Sequence, residues 1–586
     1  MASIKEEGHH RMSSESAIHD LGFVALDRAI GAVIGGAVGD ALGAGYEFSH
    51  APEPDDVMMR PGTLTGEPAG CWTDDTAMAI AILEVAAAYG TLIIGEATAS
   101  VGGRFLDWYQ SGPSDIGNQT RAVLSRASSG SDMGAVATSE LKSHPDRAGN
   151  GSLMRTGPVA LAHLGDDEDL AFAARAMSAL THPNSYAMDA CVLWTLAIDH
   201  AIRTGELVGP RVGVHLIEET RRPQWEHWID DAETLDPRTF NPNGYVVTAL
   251  QAAWSAIHST RGSRDHLVSG LRQAVAIGDD TDTVATIAGS LLGAAYGVSS
   301  VPFEWRHGLA GWPEQYCGID LVRLAVRAAK RGRNDAQGWP DVLSLGDHYQ
   351  RFSPMGVVAT FDVDPRVVFG DFSSLAEVEA DAYISLCRIG VADQRCADHE
   401  VVWLIDNEQN ADAGRILADT ADAIAHLSSR GQRVFIHCVR AESRTPTVAM
   451  TWLMRHHGRS FEQAFAEVMA AIPSADPHPA LLREVRAAAA TTRPLRDDLE
   501  WLPGFIDRRR WQRGKADPTH EYTIRSWVPD GEEEFERAVV IVREHGRPAK
   551  YYSKTYVYLT VDGMKYWTMG DDVSSTTVLN RAETQT

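Results

Sequence analysis

Two short acidic runs stand out among the residues that could do chemistry. One is WTDDT at residues 72–76 and the other is GDDTDT at residues 278–283, and each opens a stretch of helical periodicity. Asp and Thr are good helix N-caps, so capping explains one acid in each run. Capping does not explain adjacent carboxylates, which repel each other unless a cation neutralises them. Because carboxylate and hydroxyl oxygens are what hard divalent cations bind, a magnesium or manganese site and plain capping both stay open.

Two glycine-rich segments could help to position a ligand. Residues 35–47 (GGAVGDALGAGYE) are dense in glycine, which is costly in a helix unless another backbone approaches closely. Residues 149–152 (GNGS) form a loop able to present backbone N–H groups to a phosphate, although most such stretches are ordinary turns. His182, in a Thr-His-Pro sequence, is either a buried structural histidine or a residue that faces a ligand.

A cysteine and an arginine form a third candidate, Cys438 with Arg444. The same Cys-x5-Arg spacing occurs at Cys317 and Arg323, but only Cys438 follows an apolar strand pattern, at residues 434–437, and precedes a helix. A loop in that position can surround a phosphate with N–H groups at a helix N-terminus. The same field lowers the pKa of a thiol and gives a thiolate nucleophile. We interpret Cys317 as structural.

The elements around the acidic runs read as helices throughout. Apolar residues recur at i, i+3, i+4 and i+7 in residues 76–89, 187–203, 246–258 and 283–296. This pattern predicts an all-α domain over residues 26–330, after a flexible tail at residues 1–25. The polar stretch at residues 331–349 predicts a linker.

Short apolar runs alternate with helical stretches over residues 350–493, which predicts an α/β domain. The predicted strands are 356–360, 367–369, 382–386, 401–405 and 434–437, and the predicted helices are 414–429, 447–457 and 460–471. Residues 494–518 predict a second linker.

Residues 519–586 predict a small α+β module. Its expected elements are a strand at 520–528, a helix at 532–544, and a hairpin that turns at Asp562-Gly563 between 551–561 and 564–569. The hairpin is rich in tyrosine, with lysines nearby. It reads either as the core of a small sheet or as a surface that recognises a partner or a nucleotide.

Composition excludes several classes of protein. The 53 Lys and Arg residues against 79 Asp and Glu residues give a net charge of −26 at pH 7, which repels phosphate backbones and argues against bulk nucleic-acid binding. No apolar run is long enough to predict a membrane span, and the N-terminus lacks the apolar core of a signal peptide. Six scattered cysteines without CxxC pairs do not form a disulfide framework, so we expect a cytoplasmic location.

Seven segments, taken in chain order, resemble the ADP-ribosylglycohydrolase family, the dinitrogenase-reductase-activating and ARH-type hydrolases. They are GAVIGGAVGDALGAGYE, CWTDDTAMAI, GPSDIGNQT, GNGSLMRTGPVAL, LTHPNSYAMDA, NGYVVTAL and GDDTDTVATIAGSLLGAAYG, and they cover about residues 28–330. The resemblance implies an all-helical domain with two Mg²⁺ or Mn²⁺ ions that cleaves the ribose C1″ bond of ADP-ribosylated substrates.

The resemblance also implies roles for individual residues. Glu47 would line the reacting ribose and either orient the sugar or transfer a proton. The implied metal ligands are Thr73, Asp74, Asp75, Asp280, Asp282 and Thr283. The implied substrate-binding residues are Asp115, Ile116, Gly117, Gly149, Asn150, Gly151, Ser152, Met154, His182 and Tyr245. Many relatives have glycine where this chain has Asp279, which is either a further outer ligand or a surface residue.

Residues 437–445 (HCVRAESRT) resemble the signature of cysteine-dependent dual-specificity phosphatases. Supporting segments are VVFGDFSSLAE, DAYISLCRIG, TVAMTWLMRHHGRSFEQAFAEV and SADPHPALL, over about residues 350–490. The resemblance implies that the Cys438 thiolate attacks phosphorus, that Arg444 clamps the phosphate, and that Asp406 protonates the leaving oxygen, with Asp412 as the alternative acid. No cofactor is implied for this domain.

The phosphatase resemblance places His437 and Thr445 beside the substrate and shows two departures. Relatives usually carry glycine in place of Ala441 and serine in place of Thr445. Alanine crowds the loop if a positive φ is needed there. Threonine keeps the hydroxyl that stabilises the leaving thiolate.

Three functions follow from the two resemblances. The first, which the intact ligand sets favour, is a bifunctional hydrolase that reverses ADP-ribosylation and hydrolyses phosphomonoesters through a phosphocysteine. The second is an ADP-ribose-binding sensor with silent catalytic centres, and in the third the phosphatase dominates while the helical domain delivers ADP-ribosylated targets. The expected partners are an ADP-ribosylated protein or small-molecule conjugate and a phosphorylated substrate, without a membrane. Arginine, serine, nucleic-acid and O-acetyl linkages all stay open.

Overall fold

A computed structural model of the chain describes residues 21–313, 316–352, 356–395, 398–410 and 412–489, together with seven strand segments between residues 523 and 574. The chain divides into two compact units. The first comprises residues 1–353, 381–405 and 409–412, and the second comprises residues 354–380, 406–408 and 413–586. None of the described helices is long and apolar enough to cross a membrane.

The first unit is predominantly helical. Its helices are α1 (Phe23–Gly43), α2 (Asp74–Tyr89), α3 (Gly95–Gln110), α4 (Asn118–Leu124), α5 (Met133–Ser143), α6 (Gly157–Ala162), α7 (Asp167–Ala179), α8 (Ser185–Thr204), α9 (Arg222–Thr234), α10 (Val246–Ser259), α11 (His266–Ala276), α12 (Thr281–Tyr296), α13 (Phe303–Arg306), α14 (Gly318–Ala329) and α15 (Gly346–Gln350). The four helices predicted at 76–89, 187–203, 246–258 and 283–296 are confirmed as α2, α8, α10 and α12. An exception to the all-α prediction is a pair of two-residue antiparallel strands, β1 (Ala310–Gly311) and β2 (Tyr316–Cys317).

Helices α1 and α12 pack with their backbones in direct contact. Glycines recur every four residues on one face of α1, and they are Gly31, Gly35, Gly39 and Gly43. A Cβ atom on any of them would lie between 2.1 and 2.4 Å from a backbone atom of α12, so each position requires glycine. This approach accounts for the glycine density of residues 35–47. It also places the C-terminal end of α1 against the first turn of α12, where the second acidic run lies.

Residues 331–349, predicted as a linker, contain hydrogen-bonded turns. Asp335 Oδ1 accepts from the backbone N–H of Gln337 at 2.8 Å and of Trp339 at 2.9 Å, and its other carboxylate oxygen pairs with Arg388 at 2.6 Å.

The second unit contains a small sheet and helices. The strands of the second unit before residue 490 are β3 (Val358–Phe361), β4 (Asp364–Asp371) and β7 (Val434–Cys438). The helices of the unit are α16 (Ala413–Ser429), α17 (Arg444–His457), α18 (Phe461–Ala471) and α19 (Pro479–Ala489). Strand β3 pairs with β4 antiparallel, and β4 pairs with β7 in parallel from Val367↔Val434 to Asp371↔Cys438. The buried run that ends at Cys438 is therefore a strand, as predicted.

Two further strands, β5 (Ala382–Ser385) and β6 (His399–Val401), pair in parallel within the first unit. The strand predicted at residues 401–405 is wrong beyond its first residue. The N–H of Leu404 donates to the carbonyl of Val402 at 3.0 Å, and this tight turn ends the extended run.

The described segments beyond residue 522 are all strands. Val557–Val561 and Met564–Thr568 pair antiparallel with Val561 opposite Met564, which confirms the predicted hairpin. Its turn residues, 562 and 563, lie outside the described residues. The helix predicted over 532–544 is wrong where the structure describes it, because Gly531–Glu533 and Val540–Ile541 are strands. The β-branched run at 539–542 favours extended backbone over the helical periodicity on which the prediction relied.

Candidate functional site

The two acidic runs meet at neighbouring helix starts. Thr73 is the N-cap residue of α2, and Asp280 is the N-cap residue of α12. The Thr73 hydroxyl lies 3.2 Å from Asp75 Oδ2 and 3.4 Å from Asp282 Oδ2, so one side chain contacts carboxylates from both helix starts. Residues more than 200 positions apart in the chain therefore form one cluster.

Two sets of carboxylates in this cluster have the spacing of a metal site. One set is Asp40, Asp75 and Asp282, and the other is Glu47, Asp280 and Asp282; within each set the ligand atoms lie within 4.8 Å of one another. Asp282 belongs to both sets. The arrangement can therefore bring two cations close together around a shared carboxylate.

Asp40 is a functional residue that the sequence analysis missed. It lies fully buried in α1, where Oδ1 accepts from the N–H of Thr73 at 2.9 Å and from its hydroxyl at 2.8 Å. Its Oδ2 accepts from the N–H of Thr76 at 2.9 Å. The carboxylate thus caps the start of α2 from another helix and orients the first acidic run. The available signal was an acid within an otherwise apolar and glycine-rich helix.

Asn150 joins the glycine-rich loop to the second acidic run. Its Nδ2 donates to Asp280 Oδ2 at 2.7 Å and to the carbonyl of Asn243 at 3.2 Å. Asn243, which the sequence analysis also missed, is fully buried and accepts at Oδ1 from the N–H of Asp280 at 3.0 Å. Asn150 therefore holds the carboxylate of Asp280 and Asn243 holds its backbone, as supporting residues do for a metal ligand.

The electrostatics of the cluster fit divalent cations. Burial, together with the neighbouring carboxylates Asp115 and Asp280, raises the pKa of Asp74 to about 8 and that of Glu47 to about 9. Burial together with nearby carboxylates likewise holds the pKa of Asp75 and of Asp282 well above the ordinary range for aspartate. Such groups ionise together only when positive charge is supplied.

The buried atoms of the cluster give a second test of the fit. Oδ1 of Asp75 is buried without a hydrogen-bond partner among the described residues. A buried carboxylate oxygen without a donor is unfavourable unless something binds it. The donor set consists of oxygens from aspartate, glutamate and threonine, which are hard ligands of the kind that Mg²⁺ and Mn²⁺ take.

A cavity of about 620 Å³ opens over the cluster, a size suited to a small-molecule ligand. It is lined by Glu47 and by four of the six predicted metal ligands, Asp74, Asp280, Asp282 and Thr283. It is also lined by eight of the ten predicted substrate-binding residues, which are Asp115, Ile116, Gly117, Gly149, Asn150, Gly151, Met154 and His182.

Two predicted substrate-binding residues are placed differently from the rest. The hydroxyl of Ser152 is buried and accepts a hydrogen bond from the hydroxyl of Ser178 at 2.9 Å. It therefore connects residues 149–152 to α7 and does not line the cavity. Tyr245 is 41% exposed, precedes α10, and pairs through its backbone with Gly149. Thr73 and Asp75, the other two predicted metal ligands, do not line the cavity but belong to the carboxylate cluster.

The side chain of Asp279 accepts a hydrogen bond from the main chain. Its φ is 67°, in the left-handed region that favours glycine, and its Oδ2 accepts from the N–H of Asn243 at 2.9 Å. The backbone at this position therefore favours glycine, and the carboxylate of Asp279 holds residue 243 by this hydrogen bond.

The cysteine loop lies between a strand and a helix. Cys438 is the last residue of β7 and is buried, Ser443 is the N-cap residue of α17, and Arg444 begins that helix. The Asp406 carboxylate accepts a hydrogen bond from the Ser443 hydroxyl, which in turn accepts from the N–H of His478 at 2.8 Å. The structure thus brings Asp406 to the residue that precedes Arg444, whereas Asp412 is exposed just before α16.

The remaining residues of the predicted phosphate site are buried. His437 stacks on Phe435 with 5.5 Å between ring centroids. The Thr445 hydroxyl donates to the carbonyl of Gly370 at 3.3 Å, which ties the start of α17 to β4. Ala441, at the middle of the loop, has a φ of 52°, so the positive φ that the sequence analysis made conditional is present.

Cys317 has the surroundings of a structural cysteine. It is the N-cap residue of α14, where its N–H donates to Asp320 Oδ2 at 3.1 Å. Burial, together with the Asp320 charge, raises the pKa of its thiol. The thiolate form is therefore disfavoured at Cys317, in contrast to what a nucleophile requires.

Comparison with known proteins gives one family match and several similar proteins. The family model described as ADP-ribosylglycohydrolase matches residues 24–337, which include every residue of the acidic cluster and its cavity. The ADP-ribosyl-[dinitrogen reductase] glycohydrolase of Rhodospirillum rubrum is 34% identical over 287 residues, which cover 48% of this chain and 89% of that protein. The ADP-ribosylarginine hydrolase Tri1 of Pseudomonas putida is 30% identical over 294 residues, which cover 48% of this chain and 74% of that protein. The crystal structure of human DUSP28 is similar over 23% of this chain and 94% of its own, with 23% identity and a TM-score of 0.21.

Proposed function

Because the chain belongs to the ADP-ribosylglycohydrolase family over residues 24–337, we propose that its helical unit hydrolyses the ribose C1″ bond of ADP-ribosylated substrates with the help of two divalent cations. ADP-ribosyl hydrolase activity is what the family and its curated relatives indicate. The observation that carries the cation requirement is the cluster of buried, mutually repelling carboxylates beneath the 620 Å³ cavity.

The cations would be held at the two helix starts. The proposed ligands are Thr73, Asp74, Asp75, Asp280, Asp282 and Thr283. Mg²⁺ or Mn²⁺ bound there supplies positive charge and Lewis acidity at the ribose. Asp40 and Asn150 keep the ligands oriented, because each holds one of them by a hydrogen bond of 2.9 Å or less.

Glu47 is the residue that we assign to the reacting sugar. It follows α1, its carbonyl accepts from the Thr63 hydroxyl at 2.8 Å, and its side chain reaches the cavity wall beside Asp280 and Asp282. Cleavage of a glycosidic bond passes through an oxocarbenium-like state in which a carboxyl group orients the sugar or transfers a proton. In the absence of cations its raised pKa, about 9, keeps this carboxyl protonated at neutral pH.

The loop at residues 149–151 would bind the diphosphate. It lines the cavity next to His182, and a Cβ atom on Gly151 would come within 3.1 Å of the His182 ring. Glycine there leaves space for phosphate oxygens to approach backbone N–H groups.

The proposal also specifies the group to which ADP-ribose is linked in the substrate. One relative is named an ADP-ribosylarginine hydrolase, so we infer an arginine-linked conjugate as the first substrate to test. The experiment measures ADP-ribose release from arginine-, serine-, nucleic-acid- and O-acetyl-linked conjugates, with Mn²⁺ or Mg²⁺ and with EDTA. Glu47→Gln tests the assigned residue, and Cys438→Ser serves as the matched control in the other unit.

The panel separates the hydrolase from the sensor. Cation-dependent release that Glu47→Gln lowers and Cys438→Ser spares supports the hydrolase. Tight binding of ADP-ribose without release from any conjugate overturns it and favours the sensor.

A second activity is proposed for the cysteine loop, on the observation that the Asp406 carboxylate is hydrogen-bonded to Ser443, between Cys438 and Arg444. The Cys438 thiolate would attack phosphorus, the bond from phosphorus to the ester oxygen would break, and that oxygen would take the proton of Asp406. Water would then attack the phosphocysteine and give a proton to the Asp406 carboxylate, and phosphate and the Cys438 thiolate would be released. The test is hydrolysis of p-nitrophenyl phosphate, a small phosphomonoester that makes no demand on the rest of the substrate.

A further inference from the structure

Arg155 is a buried guanidinium that, among the described residues, makes no hydrogen bond or ion pair with an acidic side chain. Arg155 is 1% exposed, and its Nη1 lies 3.4 Å from the sulfur of Met78. Its Nη2 lies 3.4 Å from the carbonyl of Met177 and donates to the hydroxyl of Thr181 at 2.6 Å. The shortest contact of this cation is therefore with a neutral hydroxyl group.

The Thr181 hydroxyl has a second partner, the ring of His182. Thr181 is fully buried, and its Oγ1 lies 2.7 Å from His182 Nδ1. A guanidinium can only donate, so Oγ1 accepts from Arg155. Among the described residues the remaining partner for the hydroxyl proton of Thr181 is His182 Nδ1. If Nδ1 carried a proton instead, the buried hydroxyl would be left without an acceptor, which is unfavourable.

The other ring nitrogen of His182 faces the ligand cavity. His182 is 2% exposed and lines the cavity, and Nε2 lies 3.3 Å from the Cβ position of Gly151 and 3.5 Å from that of Gly149. When Nδ1 accepts, Nε2 carries the proton of a neutral imidazole. The ring then points an N–H group at the loop that would bind the diphosphate.

We propose that Arg155 and Thr181 are positioning residues that hold His182 as a neutral imidazole with its proton on Nε2, so that it donates a hydrogen bond to an oxygen of a nucleoside diphosphate in the cavity. The inference rests on the proposed function, since that function puts the diphosphate beside residues 149–151. The opposite tautomer would aim a lone pair at phosphate oxygens, which is repulsive.

The charges of the two buried groups agree with this arrangement. Burial, together with the nearby Arg155 cation, lowers the pKa of His182 to about 3, so the ring is neutral at physiological pH. Burial lowers the pKa of Arg155 to about 10, which leaves the guanidinium charged. What the contacts determine is therefore the position of the one ring proton.

The direct test is the tautomer of His182 in the full chain without any ligand. Long-range ¹H–¹⁵N correlation spectra of ¹⁵N-histidine-labelled protein report which ring nitrogen is protonated, and a His182→Gln sample identifies the signal. The proposal predicts a protonated Nε2 and an unprotonated Nδ1. A protonated Nδ1 overturns it, whether or not the protein hydrolyses any conjugate.

A pair of variants tests the consequence for binding. Thr181→Val removes the hydroxyl with little change in shape, and Thr181→Ser keeps it. Calorimetry should show ADP-ribose bound about tenfold more weakly by Thr181→Val, with Thr181→Ser within about twofold of the parent. Both variants should bind Mn²⁺ as the parent does, since the carboxylate cluster is untouched.

Equal ADP-ribose affinities for the two variants overturn the proposal. The spectrum of the parent protein keeps the test decisive if Thr181→Val does not fold. A parent protein that shows the predicted tautomer and binds ADP-ribose, but releases none from any conjugate, contradicts the proposed function and leaves this inference standing.

Discussion

Asp279, beside the acidic cluster, and Ala441, in the cysteine loop, occupy the same kind of backbone in different units. Their φ angles are 67° and 52°, in the left-handed region that favours glycine. Asp279 accepts a hydrogen bond of 2.9 Å from Asn243, whereas the methyl group of Ala441 has no polar atom. Because a left-handed conformation costs an L-amino acid about 1–2 kcal/mol, the hydrogen bond of Asp279 offsets part of this cost, whereas Ala441 makes no such bond.

The side chains at the helix starts also carry opposite charges in the two regions, negative in the acidic cluster and positive in the cysteine loop. Helices α2 and α12 begin among aspartates that we propose as cation ligands, whereas α17 begins at Arg444, after the loop that we propose as a phosphate site. A helix start favours negative charge, so it suits a phosphate or a thiolate without further help. Burial and mutual repulsion raise the pKa values of the carboxylates in the acidic cluster, so bound cations would favour their ionised form.

The largest expected effect is the loss of the thiol nucleophile. Cys438→Ser should reduce hydrolysis of p-nitrophenyl phosphate to the level of the blank, because no phosphocysteine can form. ADP-ribose release should be unchanged. The matched control is Cys317→Ser, which alters the other Cys-x5-Arg pair and should leave phosphate release intact. Phosphatase activity that survives in Cys438→Ser contradicts the assignment.

Removal of one carboxylate from the acidic cluster should impair ADP-ribose release and leave phosphate release unchanged. Asp280→Ala should lower ADP-ribose release by at least ~1000-fold, because the cation contributes several kcal/mol to the transition state. Phosphate release should stay at the parental rate. Steady-state assays of both activities on the same preparations make the comparison, and parallel losses in both would point to unfolding.

The stability of the metal-free protein should fall as pH rises. The folded-state pKa of Asp74 is about 8 and that of Glu47 about 9, well above the value of about 4 in an unfolded chain. Between pH 4 and 9 the folded state therefore binds more protons, and its stabilising contribution is lost as pH rises through this window.

Saturating Mn²⁺ should abolish this slope and raise the melting temperature of the helical unit by an amount on the order of 10 °C at pH 8. Scanning calorimetry from pH 5 to pH 8.5, in EDTA and in Mn²⁺, makes the measurement. Asp280→Ala is the control that should lose the shift, and identical curves with and without the cation in the parent protein would count against the metal site.

The smallest effect should come from restoring glycine in the two left-handed positions. Ala441→Gly should raise the free energy of unfolding by about 1 kcal/mol, since strain is removed and no contact is lost. Asp279→Gly should change it by less than about 0.5 kcal/mol, since relief of strain is offset by loss of the bond to Asn243. Urea titrations of both variants test this, and a gain at 279 as large as that at 441 would refute the compensation.

The sequence sufficed for features that depend on local pattern. The 3.6-residue periodicity located α2, α8, α10 and α12, and an apolar run followed by a cysteine located the end of β7. The sequence analysis missed Asp40 and Asn243 because their partners lie about 35 residues away, at Thr73 and Asp280. Nothing in the local pattern marks such long-range hydrogen bonds.

Backbone conformation was the other source of error. The helix expected over 532–544 relied on periodicity, whereas strand pairing decided the described parts of that segment. The role of Asp279 depends on a φ angle of 67° that its sequence neighbours do not specify. Ser152 shows the same limit, since a resemblance indicates a loop but not which way its hydroxyl points.

The most direct test of the central claim is a titration of the metal-stripped full chain with Mn²⁺, with ADP-ribose release from ADP-ribosylarginine as the readout. The account predicts release that rises from background to saturation with added Mn²⁺, equally in the parent protein and in Cys438→Ser. Full release in EDTA, or tight ADP-ribose binding without release at any Mn²⁺ concentration, would contradict a hydrolase built on the acidic cluster.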